Sequence, residues 1–386
     1  MTPNDTVPPP RPGTDEPTRA SPADPAGRDV DVLVVGAGQA GLGTAYHLTA
    51  DPDLRVLVLD AAPIGRSWLD RWDSLTLFTP RRFSSLPGRR FPRGPGGCPP
   101  RTEMADYLRD YAEHFTLPVE TGVRVHRLTR DGSGFVAVTS SGRVRARHVV
   151  VATGPFHRPH RPPASGDLDP NVRQLHSRDY RRPTDVPDGE VLVVGGGNSA
   201  AQLALELADA GRRVTVASPG RPWFLPETIL GVSMYWWIYL AGVLNADRSA
   251  AVSRYIRNRG DAIVGTQLRT LVRRGRVRLL PHRVTGAHGH HVTLADATTV
   301  AVTTVLWCTG FRPDTSWIDV PGAVDDDGAP VHDAGESPVP GLHWMGLPWQ
   351  TRLNSSIIDG VDRDARATAQ RIIGSRHRSR AGTRGP

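Results

Sequence analysis

One pattern occurs twice in this chain, far apart: Val-Leu-Val-Val-Gly36-Ala37-Gly38-Gln39-Ala40-Gly41 and Val-Leu-Val-Val-Gly195-Gly196-Gly197-Asn198-Ser199-Ala200. Each copy opens on a buried-strand run and continues into an Ala/Leu-rich helical stretch. The first glycine allows a tight strand-to-helix turn, the second lets backbone N–H groups approach a pyrophosphate, and the third small residue lets the helix pack on the sheet. The helix N-terminus then presents its positive end to the phosphates. A second short strand follows each copy, at Arg55–Asp60 and Arg213–Ala217. Two copies predict two dinucleotides in one polypeptide, read as a flavin reduced by a nicotinamide nucleotide. The fold class that follows is α/β, built from two Rossmann-like dinucleotide-binding domains.

The order of the motifs predicts how these domains are threaded. A Pro-, Asp- and Thr-rich stretch over 1–29 reads as a disordered extension and not as a signal peptide. An irregular segment up to Arg101 precedes an amphipathic helix, Glu103 to Phe115, with Met104, Tyr107, Leu108 and Tyr111 on one face. The buried run Val149-Val-Val-Ala152-Thr153-Gly154 ends on a turn glycine, and Val305-Leu-Trp-Cys308-Thr309-Gly310 does the same much later. Between them lies the second nucleotide motif. The reading is a discontinuous FAD-binding domain, 30–160 plus 300–373, that receives an inserted NADP-binding domain, 161–299. The remaining 374–386 reads as a basic disordered tail.

Composition removes several alternatives. The 47 basic residues are all arginine, because the 386-residue sequence contains no lysine, and this excludes Schiff-base catalysis and a P-loop lysine. The net charge of +8 is not accompanied by a groove-reading or base-stacking motif, so nucleic acid is not expected as a partner. Cys98 and Cys308 are the only cysteines and form no C-x-x-C, which argues against a dithiol relay. The 14 histidines show no metal-ligand spacing, so no metal is expected. Thr228 to Ala246 carries no charge and contains Met234-Tyr-Trp-Trp-Ile-Tyr-Leu240, but its Gly, Ser and Asn residues favour a buried or pocket-lining helix over membrane contact. A cytoplasmic protein is expected, and homodimerisation stays open.

These residues resemble the flavin-dependent monooxygenase superfamily, in the bacterial FAD-dependent oxidoreductase group near the plant indole-pyruvate monooxygenases. Beyond the glycines, the resemblance rests on Arg66-Ser67-Trp68, Arg71-Trp-Asp-Ser-Leu75, Thr79 to Pro87, His176-Ser-Arg-Asp-Tyr180 and Trp307-Cys-Thr-Gly-Phe311. It departs at Pro170-Asn-Val172, where the family signature begins with Phe-x-Gly, and at Gly65-Arg66, where a double glycine is usual.

The resemblance implies FAD and NADPH as cofactors, and O2 with a small-molecule substrate as co-reactants. Gly36, Ala37, Gly38, Gln39, Ala40 and Gly41 would cradle the FAD pyrophosphate, and Asp60 would accept from the adenosine ribose. Ser67 and Trp68 would approach the flavin, with Val125 and Ala152 flanking the adenine. Gly195, Gly197, Asn198, Ser199 and Ala200 would carry the second pyrophosphate, and Thr309 and Gly310 would complete the cofactor site. Trp68 and Trp72 read equally as flavin contact and as packing, while His176 and Tyr180 read as coupling the domains or, slightly favoured, as purely structural. The residues themselves favour NADPH: an NAD site places Asp or Glu at the end of this strand, whereas Val214-Thr-Val-Ala217-Ser218-Pro-Gly-Arg221 offers a hydroxyl and then an arginine, with no carboxylate before Glu227, and Arg221 reads as a 2′-phosphate partner or as a solvated loop residue. The implied chemistry is oxygen transfer through a C4a-hydroperoxyflavin, with no acid/base triad and no catalytic side chain assigned. Two alternatives stay open, an FAD-dependent NAD(P)H oxidoreductase with another acceptor and a non-catalytic redox sensor.

Overall fold

The computed structural model describes residues 27–260 and 262–382. Six strands start the first sheet: β1 (Arg28–Val35), β2 (Val56–Asp60), β3 (Val119–Thr121), β4 (Val125–Asp131), β5 (Gly134–Thr139) and β6 (Gly142–Val151). β1 lies parallel between β2 and β6, and β3 extends the parallel edge beyond β2. β4, β5 and β6 form an antiparallel meander. Ile318–Asp319 and Leu342–Trp344 later return to this sheet, pairing with β4 and β6.

The β1 sequence is apolar at every position from Val32 to Val35 because both faces of the sheet are covered, as parallel strands require. Val32 and Val34 join one core with helices α1 (Gln39–Leu48) and α3 (Arg101–His114). Leu33 and Val35 point the other way, into a core shared with Phe135, Val149 and Trp344. Met104, Tyr107, Leu108 and Tyr111 of α3 are fully buried, as the amphipathic pattern predicts. Two of their hydroxyls also anchor the preceding loop: Tyr107 donates to the Arg89 carbonyl at 2.7 Å and Tyr111 to that of Pro87 at 2.7 Å. Burial of each such side chain stabilises the fold by about 1.5–3 kcal/mol.

The second sheet is wholly parallel, in the order Val277–Leu280, Arg213–Ala217, Glu190–Val194, Thr304–Trp307, Arg173–His176. Its central strand repeats the two-faced arrangement, with Val191 and Val193 in one core and Leu192 and Val194 in another. Helix α4 (Asn198–Asp209) covers the first of these faces.

Three boundaries differ from those read in the sequence. β1 begins at Arg28, paired with Val144, so the break at 29 falls inside a strand; residues 1–26 lie outside the described residues. Thr304–Trp307 belongs to the second sheet, so that unit runs past the break at 299. The stretch after 373, read as a disordered tail, continues to Gly382 as part of helix α8 (Val361–Gly382), and Arg376 donates to the Asp53 carbonyl at 2.6 Å. The helical pattern was hidden by the arginine-rich composition, which gives a poor apolar stripe but good helix propensity.

The aromatic segment forms a hairpin, Thr228–Ile229 with Val232–Ser233, and a short helix α5 (Met234–Leu240). Tyr235 is buried beside Phe83 and Leu244, whereas Leu230 is 89% exposed and Leu240 72%. The expectation of a buried helix therefore holds for one face only. Among the described residues, no helix is long and apolar enough to cross a membrane.

Candidate dinucleotide sites

The first glycine turn is locked against its neighbours. Gly36 has φ +106°, and a Cβ there would stand 2.6 Å from the Ala152 carbonyl oxygen at the end of β6. A Cβ on Gly41 would fall 1.8 Å from the Gly36 carbonyl oxygen, which explains the need for glycine where α1 crosses the turn. Gly38 differs: it has φ −78°, and nothing lies within 4 Å of a Cβ built on it. Its freedom is therefore not needed for backbone geometry, and the space over it is where a diphosphate fits. α1 starts at Gly38 with no side-chain cap and no acidic residue in its first turn, leaving its leading N–H groups for an anion. Asp60 accepts the Ala37 N–H at 2.7 Å and the Ala62 N–H at 2.8 Å, fixing its carboxylate beside the turn with lone pairs to spare.

The second turn repeats this construction. Gly195 has φ +151°, and a Cβ there would meet the Cys308 carbonyl oxygen at 2.5 Å. Gly197 is open, like Gly38, and α4 again starts without a side-chain cap. Ala200 is buried in the core under α4, and Ser199 stands half-buried in the first turn. The Asn198 side chain is committed elsewhere: it donates to the Ala262 carbonyl at 3.0 Å and accepts the Val264 N–H at 2.8 Å. It therefore clamps the 262–264 segment onto the turn and does not point to a ligand. Arg221 is exposed in the loop after Arg213–Ala217, whose buried Ser218 packs its hydroxyl over Gly196.

Between the two turns lie the remaining expected residues. Ser67 and Trp68 sit on the one-turn helix α2 (Arg66–Leu69), which Gly65 holds close to Ala105 of α3. Trp68 packs on the first-sheet core, but Trp72 is 4% exposed and lies in the second-sheet core with Leu175 and Tyr180. This favours packing over flavin contact for Trp72. Val125 pairs with Thr139 at a bulge in β4; it is Val123 whose N–H reaches the Asp60 carbonyl, at 2.9 Å. The backbone beside the first turn therefore belongs to Val123, a position the sequence reading passed over.

The two Thr-Gly turns form the junction of the sheets. The Thr309 hydroxyl donates to the His160 carbonyl. His176 is fully buried; its Nε2 donates to the Gly310 carbonyl at 3.0 Å, while its Nδ1 accepts the Arg178 N–H at 3.1 Å. Both bonds specify the neutral tautomer, and burial pulls the imidazole down to about 4, so it stays uncharged at neutral pH. The Tyr180 hydroxyl donates to Glu206 of α4 at 3.0 Å. Both residues tie structural elements together.

One polar cluster had no sequence signal beyond an acidic residue near a helix start. The Asn354 Nδ2 donates to Asp359 at 3.2 Å, yet the Asn354 Oδ1 and the other Asp359 oxygen are buried without a partner. Burial pushes the Asp359 carboxyl up to about 6. Asp359 leads into α8, whose Val361 packs tightly over Gly43 of α1, so the cluster adjoins the first nucleotide layer.

Two sheets, one mixed and one wholly parallel, each with a glycine turn and an uncapped helix start, define a flavoprotein oxidoreductase that uses a pyridine nucleotide. The chain belongs to the family described as pyridine nucleotide-disulphide oxidoreductase, whose pattern matches residues 33–346, and is similar to proteins of the flavin-dependent monooxygenase superfamily. It is 41% identical to the uncharacterized oxidoreductase CzcO-like of Geobacillus kaustophilus (strain HTA426), over 87% of this chain and 96% of that protein. It is 30% identical to the indole-3-pyruvate monooxygenase YUCCA4 of Oryza sativa subsp. japonica, over 57% of this chain and 55% of that one. A flavin-containing monooxygenase from Stenotrophomonas maltophilia superposes with a TM-score of 0.76 at 29% identity, covering 90% of this chain and 99% of its own.

Proposed function

We propose that the protein is an FAD-dependent, NADPH-reduced monooxygenase that transfers one oxygen atom from O2 to a small organic substrate. The observation that carries this reading is the pair of glycine turns, each locked to a neighbouring strand and each open over its middle glycine. In this reading the first sheet is the FAD domain, and the second, inserted between its parts, is the NADP domain. The α1 N–H groups, Gly38 and Asp60 hold FAD, while the α4 N–H groups, Gly197 and Arg221 hold NADPH. Bound FAD supplies hydride acceptance and oxygen activation. The chain's own residues position the two nucleotides and keep water away, with Trp72 sealing the inter-sheet junction and neutral His176 bracing the Gly310 turn. The lack of a C-x-x-C supports oxygen over a disulfide as the acceptor.

A second reading, an NAD(P)H oxidoreductase with another acceptor, is favoured by the departures at Pro170 to Val172 and Gly65-Arg66. Aerobic turnover with a panel of small nucleophiles and ketones separates the two. Oxygenated product formed in step with NADPH consumption supports the monooxygenase. Stoichiometric hydrogen peroxide with every candidate overturns it in favour of the second reading.

A further inference from the structure

At the junction of the sheets, the Arg71 guanidinium lies in the corner formed by two aromatic rings, 4.8 Å from the centroid of Phe156 and 4.8 Å from that of Phe311. Phe311 directly follows the Thr309-Gly310 turn after Thr304–Trp307, Phe156 follows Thr153-Gly154 after β6 with Pro155 between, and the rings meet edge-on at 5.5 Å. These contacts hold the guanidinium against the ring pair on one side and leave its other side for an acceptor.

The neighbourhood carries an excess of cations. Arg66 lies 2.7 Å from Asp70, Arg181 3.8 Å from the same carboxylate, and Arg161 3.4 Å from Asp179. Arg178 donates to the His157 carbonyl at 2.9 Å. Among the described residues, no ion pair involves Arg71 or Arg178, so five guanidiniums share two carboxylates. A cavity of about 390 Å³ is lined by Asp70, Arg178, Asp179 and Arg181. Burial, then repulsion from Arg178, outweighs the attraction of Asp70 and pulls Arg71 down to about 10. Withdrawing a cation from water without a partner is unfavourable, and an arriving oxyanion would relieve it.

We propose that Arg71 and Arg178 form an oxyanion-binding site at the junction of the two sheets, taking the carboxylate or phosphate of a small-molecule ligand. Arg71 supplies the fork for a bidentate contact and Arg178 a second positive charge. The site deepens the proposed function and rests on it for its role: the oxyanion is either the carboxylate of the substrate or a phosphate of the nicotinamide nucleotide.

The test is calorimetric titration of the flavin-loaded protein with NADP⁺, inorganic phosphate and benzoate, for wild type, Arg71→Met, Arg71→Lys and Arg178→Met. Methionine keeps much of the packing against the rings and removes the charge, and Arg178→Met provides a second route should Arg71→Met not fold. Loss of a charged hydrogen bond predicts about tenfold or more weaker binding in both methionine variants. Arg71→Lys should show a smaller loss, because a point charge cannot fork. Weakening confined to benzoate and phosphate assigns the site to a substrate carboxylate, and weakening confined to NADP⁺ assigns it to the nucleotide. Equal binding of all three probes by wild type and both methionine variants, or no binding of any probe by wild type, overturns the proposal. Flavin content and the rate of flavin reduction by NADPH, measured on the same samples, report separately on the functional reading.

Discussion

The carbonyl oxygen of Cys308 lies 2.5 Å from where a Cβ on Gly195 would stand, and Ala152 faces Gly36 in the same way at 2.6 Å. In each sheet, the strand beside the nucleotide strand ends by pressing its last peptide against the first glycine of the turn. The repeat in the sequence thus includes the late Ala152-Thr-Gly and Cys308-Thr-Gly segments, which close the two turns.

Glycines within one turn are expected to fail differently. Gly38→Val has room and an ordinary φ, so the protein should fold but lose flavin, because the new side chain occupies the diphosphate's place. Gly41→Ala should instead destabilise the fold, since its methyl group meets the Gly36 carbonyl at 1.8 Å. Flavin absorbance per protein, together with the melting temperature, checks both. A Gly38→Val protein that keeps its full flavin complement would show that the open space serves something else.

Arg221 is exposed and free to turn towards a 2′-phosphate. Arg221→Ala should weaken NADPH by about 1.5–3 kcal/mol, the scale of a hydrogen bond between charged groups, and leave NADH almost unchanged. Kd values for both nucleotides decide this, and equal losses would remove Arg221 from the site.

Asp359 predicts a pH dependence of stability. Its folded carboxyl holds a proton up to about pH 6, against an ordinary value of 3.8, so between these values the folded state binds more protons than the unfolded one. Stability from this group is present below the ordinary value and is lost as pH rises through the window. Asp359→Asn should remove that loss, making the variant more stable than wild type at pH 8 by on the order of 2 kcal/mol. Urea unfolding at pH 4 and pH 8 measures it. A wild-type-to-variant difference that does not change with pH would count against the buried acid.

Trp72 belongs by sequence to the stretch after α2 but fills the core of the second sheet. Trp72→Ala should cost about 3–5 kcal/mol and should uncouple the unfolding of the two units. Calorimetry would show one transition splitting into two. A single transition shifted by only a degree or two would mean that Trp72 is not the link.

Much of the dinucleotide architecture was legible because it is local. A strand, a glycine turn and a helix start are contiguous residues, and their apolar runs and small residues report the geometry directly. The amphipathic face of α3 was readable for the same reason. Asn198 was read as a ligand contact because its place in the turn is visible in the sequence, whereas its partners Ala262 and Val264 are not. The basic stretch after 373 was misread as a tail because composition reports solubility, not docking.

By itself, the sequence determined that two strand-turn-helix units exist and that the chain carries neither a lysine nor a C-x-x-C pair. Only the tertiary structure decided that Thr304–Trp307 joins the second sheet, that Trp72 crosses into the other core, and that Arg71 rests against Phe156 and Phe311. The reason is physical. Strand partners and core neighbours are chosen by contacts between residues far apart in the chain, and burial, charge pairing and the pKa values that follow from them do not exist until those contacts form.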